Sequence, residues 1–225
     1  MLISEVFHSI QGEGGLLGKP SFFIRTSGCN LRCWFCDTPY TSWHPQGISR
    51  SVDSLVDEAA THDSQHVVIT GGEPMLVAEL TPLTESLHHR EKHITIETAG
   101  TVWQPVHCDL MSISPKLSNS APTGDAWEQR HHERRHRPDV IRRLITSYPY
   151  QLKFVVDQPD DLAEIEDWLL EFPEIEASCL YLMPQGTELT ALQERLSWLR
   201  PAAEQRGWNI TPRLHIELFG NRRGT

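Results

Sequence analysis

Cys29-Asn30-Leu31-Arg32-Cys33-Trp34-Phe35-Cys36-Asp37-Thr38 spaces three cysteines as CxxxCxxC in one short stretch. Three thiols in eight residues, with no fourth nearby, have the pattern of an incomplete cluster site. A 4Fe–4S cube has four irons and normally takes four cysteines, so three leave one iron open to another ligand. A structural zinc site is the competing reading, but it wants four closed ligands, usually in two pairs. Here the fourth would be His8, His44 or a distant residue. Cys108 and Cys179 stand alone in strand-like apolar runs and read as small core hydrophobes. Five cysteines is an odd number and no signal peptide is visible, which argues against a disulfide framework.

The 225 residues suffice for one domain with a sizeable core. Apolar content is 39%, and no apolar run approaches the roughly 18 residues that span a membrane. Met1 leads directly into a strand-like stretch, leaving no room for a targeting peptide. Reduced thiolates fit a cytoplasmic compartment. The net charge of −10, from 20 basic and 30 acidic residues, argues against a nucleic-acid backbone as the main partner. It leaves room for a local basic pocket that takes a small anion.

Outward from the cysteines, short β-branched or aromatic runs alternate with helical patterns. The strands expected are Leu2–Phe7, Phe22–Thr26, His66–Thr70, His93–Thr98, Leu110–Ser114, Gln151–Val156, Cys179–Met183 and Asn209–His215. The helices expected are Asp53–Thr61 after a Ser51 cap, Ala78–Arg90 with Leu80, Leu83 and Leu87 on one face, Asp161–Phe172 and Leu189–Gln205. Pro201 should kink or split the last of these. Strand–helix alternation implies βα units, an α/β fold and a mostly parallel sheet. Ser118–Asp139 departs from the pattern, running from a small polar stretch into Arg130-His131-His132-Glu133-Arg134-Arg135-His136-Arg137. It reads either as a docking patch for a negatively charged partner or, as such runs more commonly are, as a solvated loop and helix surface.

In parallel βα folds, sites collect where loops leave the C-terminal ends of strands. Those positions carry Gln11-Gly12-Glu13-Gly14-Gly15, Arg25 and then the cysteine loop, Thr70-Gly71-Gly72-Glu73-Pro74, Glu97-Thr98-Ala99-Gly100, Ser114-Pro115-Lys116, and Leu214-His215 before Phe219-Gly220-Asn221-Arg222-Arg223-Gly224-Thr225. Taken singly each is an ordinary turn. Together with CxxxCxxC they form a set.

CxxxCxxC with an aromatic before its last cysteine, followed by TGGEP, resembles the radical S-adenosylmethionine (SAM) superfamily. FHSIQGEG from Phe7, Arg25, CDT, ETAG, SPK, QLKFVV and the terminal LHxxxFGNRRGT resemble one of its families, the 7-carboxy-7-deazaguanine synthases. The likeness runs from Phe7 to the C-terminus, apart from the basic segment around Arg134. It implies a truncated βα barrel, a single radical SAM domain over residues 1–225 with a variable polar and basic segment near 118–139, and a homodimer. It also implies a lyase of queuosine and 7-deazapurine biosynthesis. Such an enzyme converts 6-carboxy-5,6,7,8-tetrahydropterin to 7-carboxy-7-deazaguanine by ring contraction with loss of ammonia.

The cofactors implied are a 4Fe–4S cluster on Cys29, Cys33 and Cys36, SAM, and Mg²⁺ at Thr38. SAM contacts are expected from Phe35, Cys36, Asp37, Gly72, Glu73, Ser114, Pro115, Lys116, Gln151 and Lys153. GGEP offers carbonyls and a carboxylate suited to the SAM ammonium, Ser114 and Lys116 suit a ribose or carboxylate, and Phe35 can pack on adenine. Gln11, Gly12, Glu13, Arg25, Thr70 and His215 are expected at the pterin. Its adjacent N–H donors suit the Glu13 carboxylate, and its own carboxylate needs a cation such as Arg25. One weak hydroxyl leaves most of the Mg²⁺ octahedron to substrate oxygens and water. The partners implied are the small pterin and a flavodoxin-like reducing electron-transfer protein, with neither nucleic acid nor membrane. Two other readings remain: a radical SAM activase acting on a protein partner, and a non-catalytic iron–sulfur or zinc module. QGEG and FGNRRGT favour a small enclosed substrate over the first, and eight strands exceed what the second needs.

Overall fold

The computed structural model describes residues 1–225 as one nine-stranded sheet with helices between its strands. In chain order these are β1 (Leu2–Ile10), β2 (Pro20–Thr26), α1 (Pro39–Ser42), β3 (Ile48–Ser49), α2 (Val52–Ala60), β4 (His66–Gly71), α3 (Leu80–His89), β5 (His93–Thr98) and β6 (Leu110–Ile113). Then follow α4 (Glu128–Arg135), α5 (Pro138–Ser147), β7 (Tyr150–Val156), α6 (Asp161–Leu170), β8 (Leu180–Pro184), α7 (Leu189–Arg206), β9 (Asn209–Ile210) and α8 (Leu214–Phe219). The sheet order is β3-β1-β2-β4-β5-β6-β7-β8-β9, with every neighbouring pair from β2 to β9 parallel. The order has two edges, β3 and β9, so the barrel is partial.

Local chemistry accounts for the elements. Val67, Val68, Ile69 and Thr70 are all buried, as a parallel strand covered on both faces requires. Ser51 caps α2, its hydroxyl accepting from the Ser54 N–H at 3.2 Å. Leu80, Leu83 and Leu87 bury one face of α3 in the same core cluster as β4 and β5. Phe154, Trp168 and Phe172 pack together where α6 covers β7, with the Trp168 and Phe172 rings 4.2 Å apart.

Three expectations change, and the basic segment takes the helix-surface form expected more commonly of such runs. Helix α7 runs through Pro201 in one piece, anchored by buried Leu199 and Ala203 on either side of it. The last strand stops at Ile210, because Pro212 has no N–H for a ladder, and Leu214–Phe219 is helical. His215 therefore stands in the first turn of α8 and not on a strand. The basic run is mostly helix α4, followed by α5, whose Pro138 occupies the first helical turn. Finally, β1 is antiparallel to β2, with Ile10 opposite Pro20. The Gln11–Gly15 turn consequently lies where β2 and β7 begin, not at the C-terminal ends of the parallel strands.

Candidate active site

A cavity of about 510 Å³ runs through the barrel from that turn to the cysteine loop. All three loop cysteines, Cys29, Cys33 and Cys36, line it. The loop is fixed from both ends by backbone bonds. The Gly28 N–H donates to the Thr41 carbonyl at 2.8 Å, and the Glu73 N–H donates to the Gly28 carbonyl at 2.8 Å. A Cβ on Gly72 would stand 2.1 Å from the Gly28 oxygen, so glycine there lets GGEP lie flat on the loop.

The sulfurs themselves collect donors. Leu31 N–H points at Cys29 Sγ (3.4 Å) and the Ser42 hydroxyl at Cys36 Sγ (3.2 Å). Burial pushes the Cys29 thiol up to about 11 and the Cys33 thiol up to about 12. Deprotonating them needs a strong local positive charge, which metal ions supply. No three His, Cys, Asp or Glu side chains converge on a point where a single ion would sit. Three thiols spread over one cavity wall instead suit three corners of a larger cluster.

Behind the loop stands His131, wholly buried on α4. Its Nδ1 accepts the Arg32 N–H at 3.1 Å, and its Nε2 lies 2.8 Å from Ser120 Oγ. The Ser120 hydroxyl donates to the Leu117 carbonyl, so Nε2 carries the proton and the ring is neutral. Burial, with His132, Arg135 and Lys116 adding to it, holds its pKa down at about 4. Trp34 is tied to the same segment through its N–H to the Ser120 carbonyl (3.2 Å) and its indole N–H to the Asn119 carbonyl (2.7 Å).

The opposite wall carries paired charges. Lys153 Nζ donates to the Glu13 carboxylate and lies 3.9 Å from Glu97. Arg213 bonds the Asp37 carboxylate and sits 3.4 Å from Glu13 Oε1. Burial alone would raise the Glu13 pKa, but Lys153 and Arg213 outweigh it and hold the carboxyl well below its ordinary range. Burial likewise opposes Lys153 and Arg213, and their carboxylate partners keep both firmly charged. Gln11 donates to Glu97 Oε1 at 3.1 Å. Arg25 gives Nε to Glu5 (2.6 Å), whose same oxygen accepts the Tyr40 hydroxyl at 2.7 Å. His215 packs on Gly12, where an added Cβ would stand 2.0 Å from Nδ1.

Most residues singled out in the sequence meet here. Gln11, Gly12, Glu13, Arg25, Thr70 and His215 line the cavity, as do Phe35, Asp37, Thr38, Gly72, Ser114, Lys116 and Lys153. Glu73, Pro115 and Gln151 do not. The Glu73 carboxylate faces inward, accepting from Met75 N–H, the Thr98 hydroxyl and Ala99 N–H at 2.8–3.0 Å. Gln151 braces the floor turn, accepting from Gly15 N–H and donating to Ser112, both at 2.8 Å. Lys153 is committed to Glu13. Reading strand ends alone missed Arg213 and Tyr40 as lining residues and gave Glu97 no role. Glu97 and the arginine beside Leu214-His215 lay within or next to the quoted motifs, but only their ion pairs mark them.

The chain matches the Radical SAM superfamily model over residues 23–148. It is 48% identical to the 7-carboxy-7-deazaguanine synthase of Rhodopirellula baltica over 100% of this chain and 89% of that one. Against the 7-carboxy-7-deazaguanine synthase of Halobacterium salinarum it is 42% identical, covering 97% and 90% respectively. The fold is similar to that of QueE from Escherichia coli, with a TM-score of 0.67 and 24% identity over 95% of this chain and 94% of that one.

Proposed function

Because the chain belongs to the radical SAM superfamily and, within it, to the 7-carboxy-7-deazaguanine synthases, we propose that its cavity converts 6-carboxy-5,6,7,8-tetrahydropterin to 7-carboxy-7-deazaguanine with loss of ammonia. The observation that carries this is the largely enclosed Glu13 carboxylate, paired with Lys153 and Arg213 in the cavity that the cysteine loop lines. An ionised carboxylate in a dry site suits adjacent N–H donors of a pterin edge, which it accepts in bidentate fashion. Lys153 and Arg213 keep the proton off it and fix its direction. Gln11, oriented by Glu97, offers an amide beside it. Arg25 spends Nε on Glu5, and its guanidinium lines the cavity as the cation for the substrate carboxylate.

The cluster belongs on Cys29, Cys33 and Cys36, and SAM belongs between that loop, Gly72 and the Ser114–Lys116 pair. With Glu73 turned inward, carbonyls of the GGEP turn take the SAM ammonium, while Lys116 and Ser114 take polar groups of the nucleoside or carboxylate. When bound, cluster and SAM supply the one-electron chemistry that opens an unactivated C–H bond. The protein orients the two ligands against each other and keeps water from the reacting carbon.

Mg²⁺ belongs on the substrate side, at Thr38. Although Thr38 precedes α1, its hydroxyl makes no capping bond. Its contacts are a long one of 3.4 Å from the Thr41 hydroxyl and one of 3.8 Å to Cys36 Sγ, and it lines the cavity, leaving a lone pair for an ion. The protein acts as a single domain, as a homodimer, in the cytoplasm, where its five free cysteines stay reduced. A flavodoxin-like carrier supplies electrons. No helix is long and apolar enough to cross a membrane.

An anaerobic assay with reductant, SAM and the carboxypterin, read by product mass, tests this reading. SAM cleavage without the deazaguanine product would refute the substrate assignment.

A further inference from the structure

We propose that Trp127, Arg32, Arg130 and Arg134, beside exposed Trp34, form the docking surface for an acidic one-electron carrier protein. The proposal rests on the cysteine loop being the cluster site.

In a chain of net charge −10, three guanidiniums converge on one ring: Arg32, Arg130 and Arg134 lie 4.2, 4.7 and 6.0 Å from the centre of Trp127. None of the three forms a salt bridge. Arg32 donates to the Cys29 and Leu31 carbonyls and Arg134 to the Asn30 carbonyl, so their charge is placed but not neutralised. Farther along the same basic run, Arg135 and Arg137 are neutralised by Glu164 and Asp139. Within the run, the unneutralised arginines are therefore those of the part that contacts the cysteine loop.

Position decides the partner. Cys33 and Cys36 line the cavity, while Trp34 between them does not and is 53% exposed on the other side. Arg32, Trp127, Arg130 and Arg134 are likewise absent from the cavity wall. The cavity takes up one side of the loop, and exposed Trp34 gives the loop a second face toward solvent. A few arginines around two tryptophans suit the small, transient contacts of electron carriers. Unpaired positive charge selects an acidic surface and speeds encounter. The chain's overall negative charge opposes a long polyanion at the same place. In the contact the carrier's reduced cofactor loses one electron and the cluster gains it, with no bond made or broken.

The test uses the reconstituted enzyme and an acidic flavodoxin. Binding of oxidised flavodoxin is measured by calorimetry at low and high salt, in wild type, Arg130→Gln and Arg130→Glu. Affinity should fall with salt, and Arg130→Glu should weaken it about tenfold or more, with Arg130→Gln between. Product formation driven by dithionite should be unchanged in both variants, whereas flavodoxin-driven product formation should fall with affinity. Equal affinity in all three proteins would overturn the proposal, as would salt-independent binding or a transfer RNA that binds the patch more tightly than flavodoxin. A wild type that binds flavodoxin in this way yet makes no deazaguanine with dithionite would instead refute the substrate reading and leave the docking surface standing.

Discussion

The Arg32 N–H and the His131 Nδ1 meet at 3.1 Å across 99 residues of chain, and that bond ties the cysteine loop to helix α4. The neutral ring closes a relay from Arg32 through Ser120 to the Leu117 carbonyl. Because the Cys33 backbone directly follows Arg32, the relay sets where the loop's middle sulfur points.

His131→Leu should strand the Arg32 N–H in a buried site and take away the donor to Ser120 Oγ, costing about 1–3 kcal/mol. Denaturant unfolding would show the loss, and iron bound after anaerobic reconstitution should fall with it. The pH dependence has a definite sign. The folded His131 pKa sits near 4, below the ordinary 6.5, because of burial and the nearby His132, Arg135 and Lys116. The unfolded chain therefore takes the proton first as pH drops. Stability from this group is present above about 6.5 and is lost between there and 4, so wild type should lose more stability over that window than His131→Leu. Parallel stability–pH curves for the two proteins would contradict the relay.

Arg213 is the one cation shared by the Asp37 and Glu13 carboxylates. Removing a member of a buried ion pair typically costs about 3–5 kcal/mol, since the partner charge stays behind. Arg213→Met should approach that loss and release Glu13 from one of the two cations that hold its pKa down. The acid limb of the kcat/KM profile should consequently move to higher pH, with Arg213→Lys restoring part of the shift. Arg213→Met with wild-type stability and an unmoved acid limb would show that Arg213 does not set the Glu13 charge.

Glu13→Gln and Arg25→Ala should each lose product formation while keeping the cluster. A charge-assisted bidentate contact removed from a dry site costs about 2–4 kcal/mol, or roughly 30- to 1,000-fold in kcat/KM. Iron content and SAM affinity should stay near wild type. Near-normal turnover by both variants would refute this placement of the pterin.

Much of this was legible in the sequence. The run Val67–Thr70 announces a strand through its β-branched residues and short length, and the leucines of α3 announce a helix through their period. Cysteine spacing marks the cluster loop. Strand direction, by contrast, leaves no periodic trace, so the antiparallel β1 and the floor position of Gln11–Gly15 appear only in the pairing of Ile10 with Pro20. The helix at Leu214–Phe219 follows a proline that a β-rich run disguised. His131 read as one more basic-run residue, because nothing local shows that its partner is Arg32. The Glu73 carboxylate looked free for a ligand for the same reason, its acceptors being claimed by Thr98 and Ala99 across the sheet.

Thr38 offers an ion one weak oxygen, so an ion there should bind poorly until substrate adds its own. Omitting Mg²⁺ should slow product formation and weaken substrate affinity, with SAM affinity little changed. Thr38→Ala should mimic that loss and respond less to added Mg²⁺. The Thr38 hydroxyl also lies 3.8 Å from Cys36 Sγ, so a purely structural role would act through the cluster loop. Iron content and SAM affinity separate the two roles: both should survive Thr38→Ala if the hydroxyl serves the ion. Substrate and SAM are therefore titrated separately, with and without Mg²⁺, in both proteins. A large Mg²⁺ effect on SAM affinity in the absence of substrate would place the ion elsewhere.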